Sequence, residues 1–257
     1  MARAHVFSPQ EISRESLCEK LRGRTAARRY IELGRLDLLL LRINPINASV
    51  LSFASLVERL GVPVLCTPST LVRTSNKAYL ATLTDVPTPR TLVSRSFSTL
   101  SAFAADQPTG TIIKPARASG GRGIQLVPPQ SPMPLEAALD GARDAGDGYI
   151  VAQEYLVAAE EGEKRLVWLD GRLLGGYLRR RAPGEFRHNL KQGGQPEPCE
   201  ITPQDHALID ALTPHLRADG VWFAGVDVIG GQVVEVNTLN PGGLHMIQEF
   251  TLSLIHI

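Results

Sequence analysis

The feature that most constrains the fold is the segment of residues 225–237, Gly-Val-Asp-Val-Ile-Gly-Gly-Gln-Val-Val-Glu-Val-Asn. β-Branched runs on either side of a Gly-Gly pair are typical of a β-hairpin. A three-residue loop at residues 230–232 sets Asp227 opposite Glu235 and Gly225 opposite Asn237. It leaves Ile229 and Val233 near the turn and fills the other face with Val226, Val228, Val234 and Val236. A two-residue loop would mix acids and valines on both faces, which a half-buried sheet resists.

The acidic face of this hairpin carries Asp227, Glu235 and Asn237 side by side. Two carboxylates this close repel each other unless a cation or a shared proton lies between them. Carboxylate and amide oxygens suit Mg²⁺, which proteins hold together with substrate phosphates. We therefore predict a metal site here. The alternative from this segment alone is a solvated acidic face on an edge hairpin.

The composition bounds the class of protein. The 257 residues, 43% of them hydrophobic, suffice for one large domain or two moderate ones. A net charge of +1 and 5% aromatic residues argue against a nucleic-acid partner, which needs a basic surface and stacking rings. No apolar run reaches the length of a membrane span, and the N-terminus lacks the apolar core of a signal peptide. We expect a soluble, cytoplasmic protein without a membrane partner. Its oligomeric state, a homo-oligomer included, stays open.

The first 93 residues are interpreted as a βαβ domain. Residues 38–41 form a continuous apolar run, as expected of a buried strand in a parallel sheet. Residues 49–60 have helical spacing, and residues 62–65 form the next short strand. A polar helix over residues 69–83 then carries Lys77, and residues 86–93 look like a strand that crosses to the next domain.

Residues 94–251 form the second domain in this interpretation. The predicted strands and hairpin cover residues 111–115, 124–127, 149–156 and 165–178, with the hairpin turning at Asp170-Gly171. A helix begins after Thr202, with Pro203 at its first position and Asp205 in its first turn. Pro214 is expected to kink or end that helix.

A lysine and a glycine-rich loop offer phosphate-binding chemistry. Lys114 ends an apolar strand shortly before the loop Gly120-Gly121-Arg122-Gly123. Glycines let backbone N–H groups approach phosphate oxygens, and a lysine supplies a point charge. An ordinary tight hairpin explains this loop about as well.

Two further segments have binding chemistry only in combination with others. Gln153-Glu154-Tyr155-Leu156 ends a strand before an acidic turn, so its backbone suits an adenine edge and a following acid suits ribose hydroxyls. Alone, it is no more than a strand terminus. Arg180, Arg187 and Asn189 precede Gly193-Gly194, and cations on a mobile loop suit anionic substrates or a transferring phosphate. A solvated basic loop is the alternative.

Taken together, these segments resemble one family. In chain order the matching motifs are Asn76-Lys77, Ile113-Lys114-Pro115, the glycine-rich loop, Gln153-Glu154-Tyr155-Leu156, Glu163-Lys164-Arg165, Arg187-His188-Asn189-Leu190-x-x-Gly193-Gly194, and Asp227 with Glu235-Val236-Asn237. Their order and spacing over residues 37–243 resemble the ATP-grasp superfamily, most closely its bacterial glutathione synthetase-like branch. The Arg-x-Asn-Leu-x-x-Gly-Gly motif is specific to that branch.

The resemblance implies an α/β (α+β) fold of the ATP-grasp type. A pre-ATP-grasp βαβ domain, residues 1–93, precedes two α+β subdomains that sandwich ATP, residues 94–251. The implied cofactors are ATP and Mg²⁺, with Mn²⁺ as an alternative to Mg²⁺.

The resemblance also implies a role for each matching residue. ATP phosphates and adenine would be contacted by Lys77 and Lys114, under a lid that contains Gly120, Gly121 and Gly123. The adenine would be held by Glu154, Tyr155 and Leu156, and the ribose by Glu163. The acyl phosphate and substrate would be bound by the catalytic residues Arg180, Arg187 and Asn189. Mg²⁺ would be bound by Asp227, Glu235 and Asn237.

The chain departs from the family in three places. Thr238-Leu239-Asn240-Pro241-Gly242-Gly243 stands where glutathione synthetases usually read Val-Thr-Ser-Pro-Thr-Gly. That segment touches the substrate in the family, so the resemblance leaves open whether the substrates are γ-glutamylcysteine and glycine. The family's first β–α segment has no counterpart before Met1, and its C-terminal helix has none after Thr251. We therefore expect a fragment. Residues 252–257 match the translation of a common sequencing adapter, so we expect them to be a non-native tail, with a genuine short terminal strand as the alternative.

The implied activity is that of an ADP-forming C–N ligase. A small-molecule carboxylate attacks the γ-phosphate of ATP, and an amine then displaces phosphate from the acyl phosphate to form an amide. One alternative is an ATP-grasp ligase for another amino acid or a peptide, which the Asn-Pro-Gly-Gly segment favours. The other is a nucleotide-binding module without ligase activity. The metal trio and the Arg180, Arg187 and Asn189 set argue against the second, because binding alone does not need groups that stabilise an acyl phosphate.

Overall fold

A computed structural model describes residues 1–8, 13–44, 46–118, 120–129, 135–144 and 147–251, so the suspected tail lies outside the described residues. The chain divides into two compact units, one of residues 1–41 and 47–68 and one of residues 42–46 and 69–257. The predicted domain boundary after residue 93 falls inside the second unit, within the strand Thr91–Ser94. In the described part, no helix is both long and apolar enough to cross a membrane.

The first unit contains the predicted βαβ segment. Its elements are β1 (Ala2–His5), α1 (Arg14–Arg22), β2 (Arg28–Ile31), β3 (Leu39–Leu40), α2 (Ala48–Arg59) and β4 (Val64–Leu65). β3 and β4 pair in parallel, which confirms the predicted topology, and Asn47 caps α2 by accepting from the Val50 N–H. The prediction that residues 38–41 are buried is wrong for Leu38 and Leu40, because the described sheet has only these two strands and both side chains are about half exposed.

The helix predicted over residues 69–83 is two separate elements. Helix α3 (Pro68–Thr74) ends early, and a 3₁₀ helix, Lys77–Thr82, follows it. Asn76 interrupts the helix because its side chain accepts a hydrogen bond from the Ala78 N–H, the local bond by which asparagine competes with helical pairing. Lys77 therefore begins the second element instead of lying in the middle of a helix.

An antiparallel four-stranded sheet forms one half of the second unit. Its elements are β5 (Thr91–Ser94), α4 (Phe97–Ala105), β6 (Thr111–Pro115), β7 (Gln125–Val127), α5 (Leu135–Asp144) and β8 (Ile150–Glu154), with the strand order β5-β8-β6-β7. Both helices pack on the sheet around Leu100, Ile113, Leu139 and Ile150. The strand predicted to cross between domains thus includes an edge strand of this sheet.

An antiparallel five-stranded sheet forms the other half. Its elements are β9 (Glu163–Leu169), β10 (Arg172–Arg180), β11 (Gln195–Glu197), α6 (Pro203–Ala218), β12 (Phe223–Ile229), β13 (Gln232–Asn237) and α7 (Leu244–Thr251), with the strand order β11-β10-β9-β12-β13. The predicted capping box of Thr202 and Asp205 is confirmed. The helix does not end at Pro214, since α6 continues through it and packs Leu212 and Leu216 in the same core as Trp168; a kink at Pro214 stays a prediction.

A β-bulge sets the register of the β12–β13 hairpin. Asp227 pairs with Glu235 and Gly225 with Asn237, as predicted, but the loop has two residues. Gly230 and Gly231 both have positive φ, at 55° and 75°, which a two-residue turn of this kind requires. Val234 is the extra residue, so the acids keep a common face although the loop is shorter. The bulge also exchanges two valines: Val233 joins the buried core with Val226 and Val228, whereas Val234 packs with Ile229.

A second bulge lies in the β9–β10 hairpin. Pairing runs regularly from the Asp170-Gly171 turn as far as Leu173 with Trp168, then resumes with Gly175 opposite Val167. Leu174 is the extra residue. From there on, the side chains of β10 face the opposite way from what uninterrupted alternation gives, and Arg179 lies directly opposite Glu163.

Candidate active site

An open cavity lies between the two sheets of the second unit, with about 620 Å³ of empty space when the adjoining open solvent is included. Strands β6 and β8 contribute Ile112, Lys114 and Gln153, and the hairpin β12–β13 contributes Asp227 and Glu235. The remaining lining residues are Ile124, Glu154, Tyr155, Leu156, Ala159, Glu163, Phe186, Arg187, His188, Asn189, Ile229 and Val234. The cavity thus has apolar surfaces together with both acidic and basic groups.

Four paired charges lie on one face of the five-stranded sheet. Arg165 donates to both oxygens of Asp227, with Nη2–Oδ2 at 2.9 Å. Arg179 donates from Nη2 to Asp227 Oδ1 at 2.6 Å and to Glu163 Oε1. The side chains of Asp227 and Arg179 are only 3% and 5% exposed. We call Glu163, Arg165, Arg179 and Asp227 the charge cluster; it exists because β10, β9 and β12 are neighbours and the bulge at Leu174 turns Arg179 inward.

The charge cluster shifts the pKa of its two acids in opposite directions. Burial alone would raise the pKa of Asp227, but the guanidiniums of Arg165 and Arg179 hold it at about 2. Burial raises the pKa of Glu163 to about 7. The positive charges of Arg179 and Arg165 oppose this shift, and the negative charges of Asp227 and Glu235 add to it. Asp227 is thus a permanent anion, and Glu163 lacks full compensation for its charge.

Two lysines lie beside the charge cluster. Lys77 Nζ donates to the Ala118 carbonyl at 2.5 Å and to Glu235 Oε1 at 3.1 Å, so it joins the glycine-rich loop to the hairpin. Lys114 Nζ donates to Gln153 Oε1 at 2.6 Å. Burial lowers the pKa of Lys114, and Glu235 works against that shift. An incoming anion would therefore meet a lysine whose shortest hydrogen bond among the described residues is to a neutral amide.

The glycine-rich loop and the loop of residues 181–194 hold each other. Arg187 Nη1 donates to the Gly121 carbonyl at 3.0 Å, and Gln192 Nε2 donates to the Gly120 carbonyl at 3.1 Å. Gly121 has a φ of +78°, and a Cβ there would lie 2.7 Å from Asn189 Oδ1, so a larger residue would strain the backbone and displace the Asn189 side chain. Ser119 of the glycine-rich loop lies outside the described residues.

Arg187 is neutralised within its own loop. Its guanidinium forms a two-pronged pair with Glu185, with Nε–Oε1 at 3.0 Å and Nη2–Oε2 at 2.7 Å. Hydrogen bonds from the Arg187 side chain lower the pKa of Glu185 to about 2. An anionic ligand would have to draw Arg187 away from this carboxylate.

Most of the predicted site residues come together. Those that line the cavity are Lys114, Glu154, Tyr155, Leu156, Glu163, Arg187, Asn189, Asp227 and Glu235. Asn237 contacts the cavity indirectly by donating from Nδ2 to Asp227 Oδ2 at 3.1 Å, and Lys77 does so through Glu235. Gly120 and Gly121 reach the second loop, and Gly123 follows them in the same turn.

Arg180 is the exception among the predicted catalytic residues. Its side chain is 47% exposed and pairs with Glu197 at 3.0 Å, and it does not line the cavity. Its neighbour Arg179 faces the interior instead, because successive side chains of a strand point to opposite faces. The sequence offered Arg179, Arg180 and Arg181 in a row, and only the bulge decides which one faces inward.

Sequence reasoning gave no role to three residues of the site: Gln153, Arg165 and Arg179. Gln153 holds Lys114, and the two arginines hold Asp227. Arg165 had a usable signal, since it lies two residues after Glu163 and therefore on the same face of β9. Arg179 had none without the bulge.

The donor set fits a divalent cation bound beside phosphates. Asp227, Glu235 and Glu163 supply carboxylate oxygens, and the Asn237 amide keeps its oxygen while its nitrogen donates to Asp227. These are hard oxygen ligands of the kind that Mg²⁺ prefers. No group of three or more His, Cys, Asp or Glu side chains is arranged to hold a metal within the described ranges. A metal here would accordingly need the amide or ligand phosphates to complete its coordination.

Comparison with known proteins gives a family match. The model of the family "Prokaryotic glutathione synthetase, ATP-grasp domain" matches residues 76–252. A glutathione synthetase of Prochlorococcus marinus is 36% identical over 193 residues, covering 75% of this chain and 62% of that protein. A glutathione synthetase of Escherichia coli O157:H7 is 32% identical over 231 residues, covering 87% of this chain and 72% of that protein. The chain thus spans about three-fifths of the length of its cyanobacterial relative.

Solved structures support the fold at low sequence identity. A D-cycloserine synthetase superposes with a TM-score of 0.68 at 17% identity, covering 86% of this chain and 80% of that chain. A D-alanine–D-alanine ligase of Bacillus anthracis, solved in complex with ATP, superposes with a TM-score of 0.60 at 18% identity, covering 86% and 72%. The predicted α/β ATP-grasp fold is confirmed.

Proposed function

Since this chain belongs to the prokaryotic glutathione synthetase family with an ATP-grasp domain, we propose that it is an ATP- and Mg²⁺-dependent ligase that joins a carboxylate to an amine. The observation that carries the proposal is the open cavity between the two sheets, which is lined by Lys114 and Arg187 together with Asp227 and Glu235. Anion-binding and metal-binding groups are needed together only if a phosphorylated ligand enters with its cation.

The nucleotide would lie with its adenine toward the apolar part of the cavity. Leu156, Ile229 and Val234 form that part together with Ala159. The Tyr155 N–H donates to the Gly110 carbonyl, and the Tyr155 carbonyl accepts from the Thr109 hydroxyl. The backbone of the neighbouring residues Glu154 and Leu156 would therefore form the hydrogen bonds to the adenine edge. Lys114, at the inner end of β6, would meet the phosphates.

The metal would be held by Asp227, Glu235 and Asn237, with Glu163 close enough to share its field. When bound, Mg²⁺ would neutralise the negative charge of the phosphates that the substrate carboxylate attacks. Mn²⁺ has the same preference for oxygen ligands and is the alternative. Lys77 keeps Glu235 in position from the other side.

Arg187 and Asn189 would act on the transferring phosphoryl group. Both line the cavity from the loop that contacts Gly121. Arg187 is a suitable switchable group, because leaving Glu185 for a more highly charged phosphate exchanges one ion pair for another. The proposal does not rely on Arg180, whose side chain pairs with Glu197 at the surface.

The reaction follows from these roles. The substrate carboxylate attacks the γ-phosphorus and ADP leaves, which gives an acyl phosphate; the amine then attacks the acyl carbon and phosphate leaves, which gives an amide. The protein binds, orients and neutralises, and it contributes no covalent step of its own. In glutathione synthetases the small-molecule substrates are γ-glutamylcysteine and glycine, and this is the first pair proposed for this chain.

A ligase for a different acid or amine is the second candidate. The segment Asn240-Pro241-Gly242-Gly243 lies beside the charge cluster, because the Gly242 carbonyl accepts from Arg165 Nη1 at 3.3 Å. Arg42 Nη1 donates to the Pro241 carbonyl at 2.9 Å. A divergent segment so close to the reacting groups favours a changed substrate. The domain roles of residues 1–93 and 94–251, and a cytoplasmic location, stay predictions.

The test is ADP release with ATP and Mg²⁺ across pairs of acids and amines, beginning with γ-glutamylcysteine and glycine and including D-alanine pairs. We expect release that requires both substrates and is lost in Asp227→Asn. Release with another pair only would favour the second candidate. Tight binding of nucleotide without turnover for any pair would contradict the ligase proposal and leave a nucleotide-binding module.

A further inference from the structure

The starting observation is that all positions around the Asp227 carboxylate are taken. Oδ1 accepts from Arg165 Nε and from Arg179 Nη2, and Oδ2 accepts from Arg165 Nη2 and Asn237 Nδ2. An ionised carboxylate offers about four acceptor positions. A cation that binds Asp227 must therefore displace at least one of these donors.

The three donors differ in how firmly they are held. Arg165 forms two bonds to Asp227 and a third to the Gly242 carbonyl. Asn237 is itself suited to bind the cation through its oxygen. Arg179 makes a single contact to Asp227 and a second one to Glu163, and its buried Nε has no hydrogen-bond partner among the described residues. A buried donor without a partner is unfavourable, so Arg179 is held to Asp227 less firmly than Arg165, which bonds both carboxylate oxygens.

The position of Arg179 in the chain gives it somewhere to go. It is the penultimate residue of β10, directly before the loop of residues 181–194 that carries Arg187 and Asn189. The same guanidinium nitrogen contacts Glu163 and Asp227, so it acts as a shared cation between two carboxylates. Arg179 itself does not line the cavity, but both of its carboxylate partners do, so a phosphate bound there could replace them as its anionic partner.

We propose that Arg179 is an exchangeable counter-ion of the metal site. Its guanidinium neutralises Glu163 and Asp227 and blocks a divalent cation that arrives alone. It yields when the cation arrives with a nucleotide, because the phosphates then offer it a new anionic partner. Arg179 in this way makes metal binding depend on nucleotide. This inference rests on the proposed metal site and goes beyond the proposed ligase activity.

The test measures binding of Mn²⁺ alone to the whole protein without nucleotide, by titration calorimetry and by electron paramagnetic resonance. Arg179→Gln should bind Mn²⁺ about tenfold more tightly than the wild type, since removing one neighbouring positive charge favours a cation by about the amount that shifts a pKa by one unit. Arg180→Gln is the matched control. It removes an arginine one position along the same strand, on the exposed side, and should leave Mn²⁺ affinity unchanged.

Further variants locate the ion and guard against misfolding. Arg179→Gln combined with Asp227→Asn should lose the gain. Arg179→Met, an apolar side chain of similar length, should show the same gain and a melting temperature that rises with Mn²⁺ alone. With a non-hydrolysable ATP analogue, the difference between the wild type and Arg179→Gln should shrink.

The proposal is overturned if a folded Arg179→Gln or Arg179→Met variant has wild-type or weaker affinity for Mn²⁺. It is also overturned if the gain persists without Asp227. These measurements need neither substrate nor turnover. If Arg179→Gln gains Mn²⁺ affinity as expected but the protein releases no ADP with any acid and amine, the ligase proposal is contradicted and the counter-ion proposal stands.

Discussion

The two sheets that enclose the cavity differ in the charges they bury. The four-stranded sheet contributes one buried cation, Lys114, held by the neutral side chain of Gln153. The five-stranded sheet buries Arg165, Arg179 and Asp227 and leaves Glu163 only 14% exposed, and each contacts an opposite charge. One wall therefore has a charge in need of a partner, and the other has charges that already have partners.

This difference indicates that the two sheets contribute differently to ligand binding. A single buried lysine gains most from an incoming phosphate, because no carboxylate of the described residues contacts its charge directly. A set of paired charges gains only if the ligand offers better partners than those present, so it responds to the combination of metal and phosphate. We infer that the first wall sets nucleotide affinity and the second sets whether the bound nucleotide can react.

The largest expected effect comes from the five-stranded wall. Glu235→Gln and Asn237→Ala should each reduce ATP turnover on the order of 100-fold, the usual effect of losing one electrostatic contact that stabilises a transition state. Steady-state ADP release measures it. Glu249→Gln, an exposed acid on α7, is the control and should have wild-type turnover. Unchanged turnover in both site variants would show that this hairpin is not the metal site.

The next effect tests the four-stranded wall. Lys114→Ala should weaken binding of ATP with Mg²⁺ by about 1–3 kcal/mol, the size of a hydrogen bond to a charged group. Lys114→Met, which keeps most of the volume but not the charge, should lose as much. Calorimetry that finds wild-type affinity in both variants would assign Lys114 a structural role and remove the contrast between the walls.

A smaller effect concerns the two loops above the cavity. Residues 118–123 and 181–194 should exchange their amide hydrogens about tenfold more slowly with an ATP analogue and Mg²⁺ at roughly ten times Kd. Gly121→Ala should abolish this gain, because its Cβ would lie 2.7 Å from Asn189 Oδ1. Trimming residues 252–257 should leave the protection unchanged if they are a tail. Loss of protection on trimming would make them part of the fold.

The smallest effects concern the N-terminal caps of two helices, one packed on each sheet. Ser96→Ala at the start of α4 and Asp205→Ala at the start of α6 should each lower the free energy of unfolding by about 1 kcal/mol at neutral pH. Only Asp205 titrates: burial opposes its ionisation, but Lys164 and Thr202 together lower its pKa. A carboxyl group whose pKa is lower in the folded state stabilises the fold at pH values above its pKa in the unfolded state. That stabilisation is lost as the pH falls, so the effect of Asp205→Ala on the free energy of unfolding should decrease in acid. Urea unfolding at two pH values measures both effects. If the effects of Ser96→Ala and Asp205→Ala depended equally on pH, the role given to the Asp205 carboxylate would be wrong.

Local chemistry in the sequence determined much of the fold and most of the candidate site. The Thr202–Asp205 capping box, the Asp170-Gly171 turn and the strand that ends in Lys114 were predictable, because each depends on neighbours within a few residues. The cavity-lining residues from Glu154 to Leu156 were found through ordered motifs of a known family. The early end of helix α3 at Thr74 and the continuation of α6 through Pro214 were missed, since side-chain capping and packing against Trp168 override propensity there.

What only the tertiary structure decided is which face each charged side chain occupies. The sequence by itself set the order of acids, arginines and valines and the presence of two glycine-containing turns. It did not set the extra residues, Leu174 and Val234, because a β-bulge depends on the partner strand and on the surfaces packed against it. Side chains alternate with a period of two, so one extra residue reverses every side chain beyond it. That reversal brings Arg179 instead of Arg180 to Glu163 and Asp227, and it keeps Asp227 beside Glu235 across a two-residue turn.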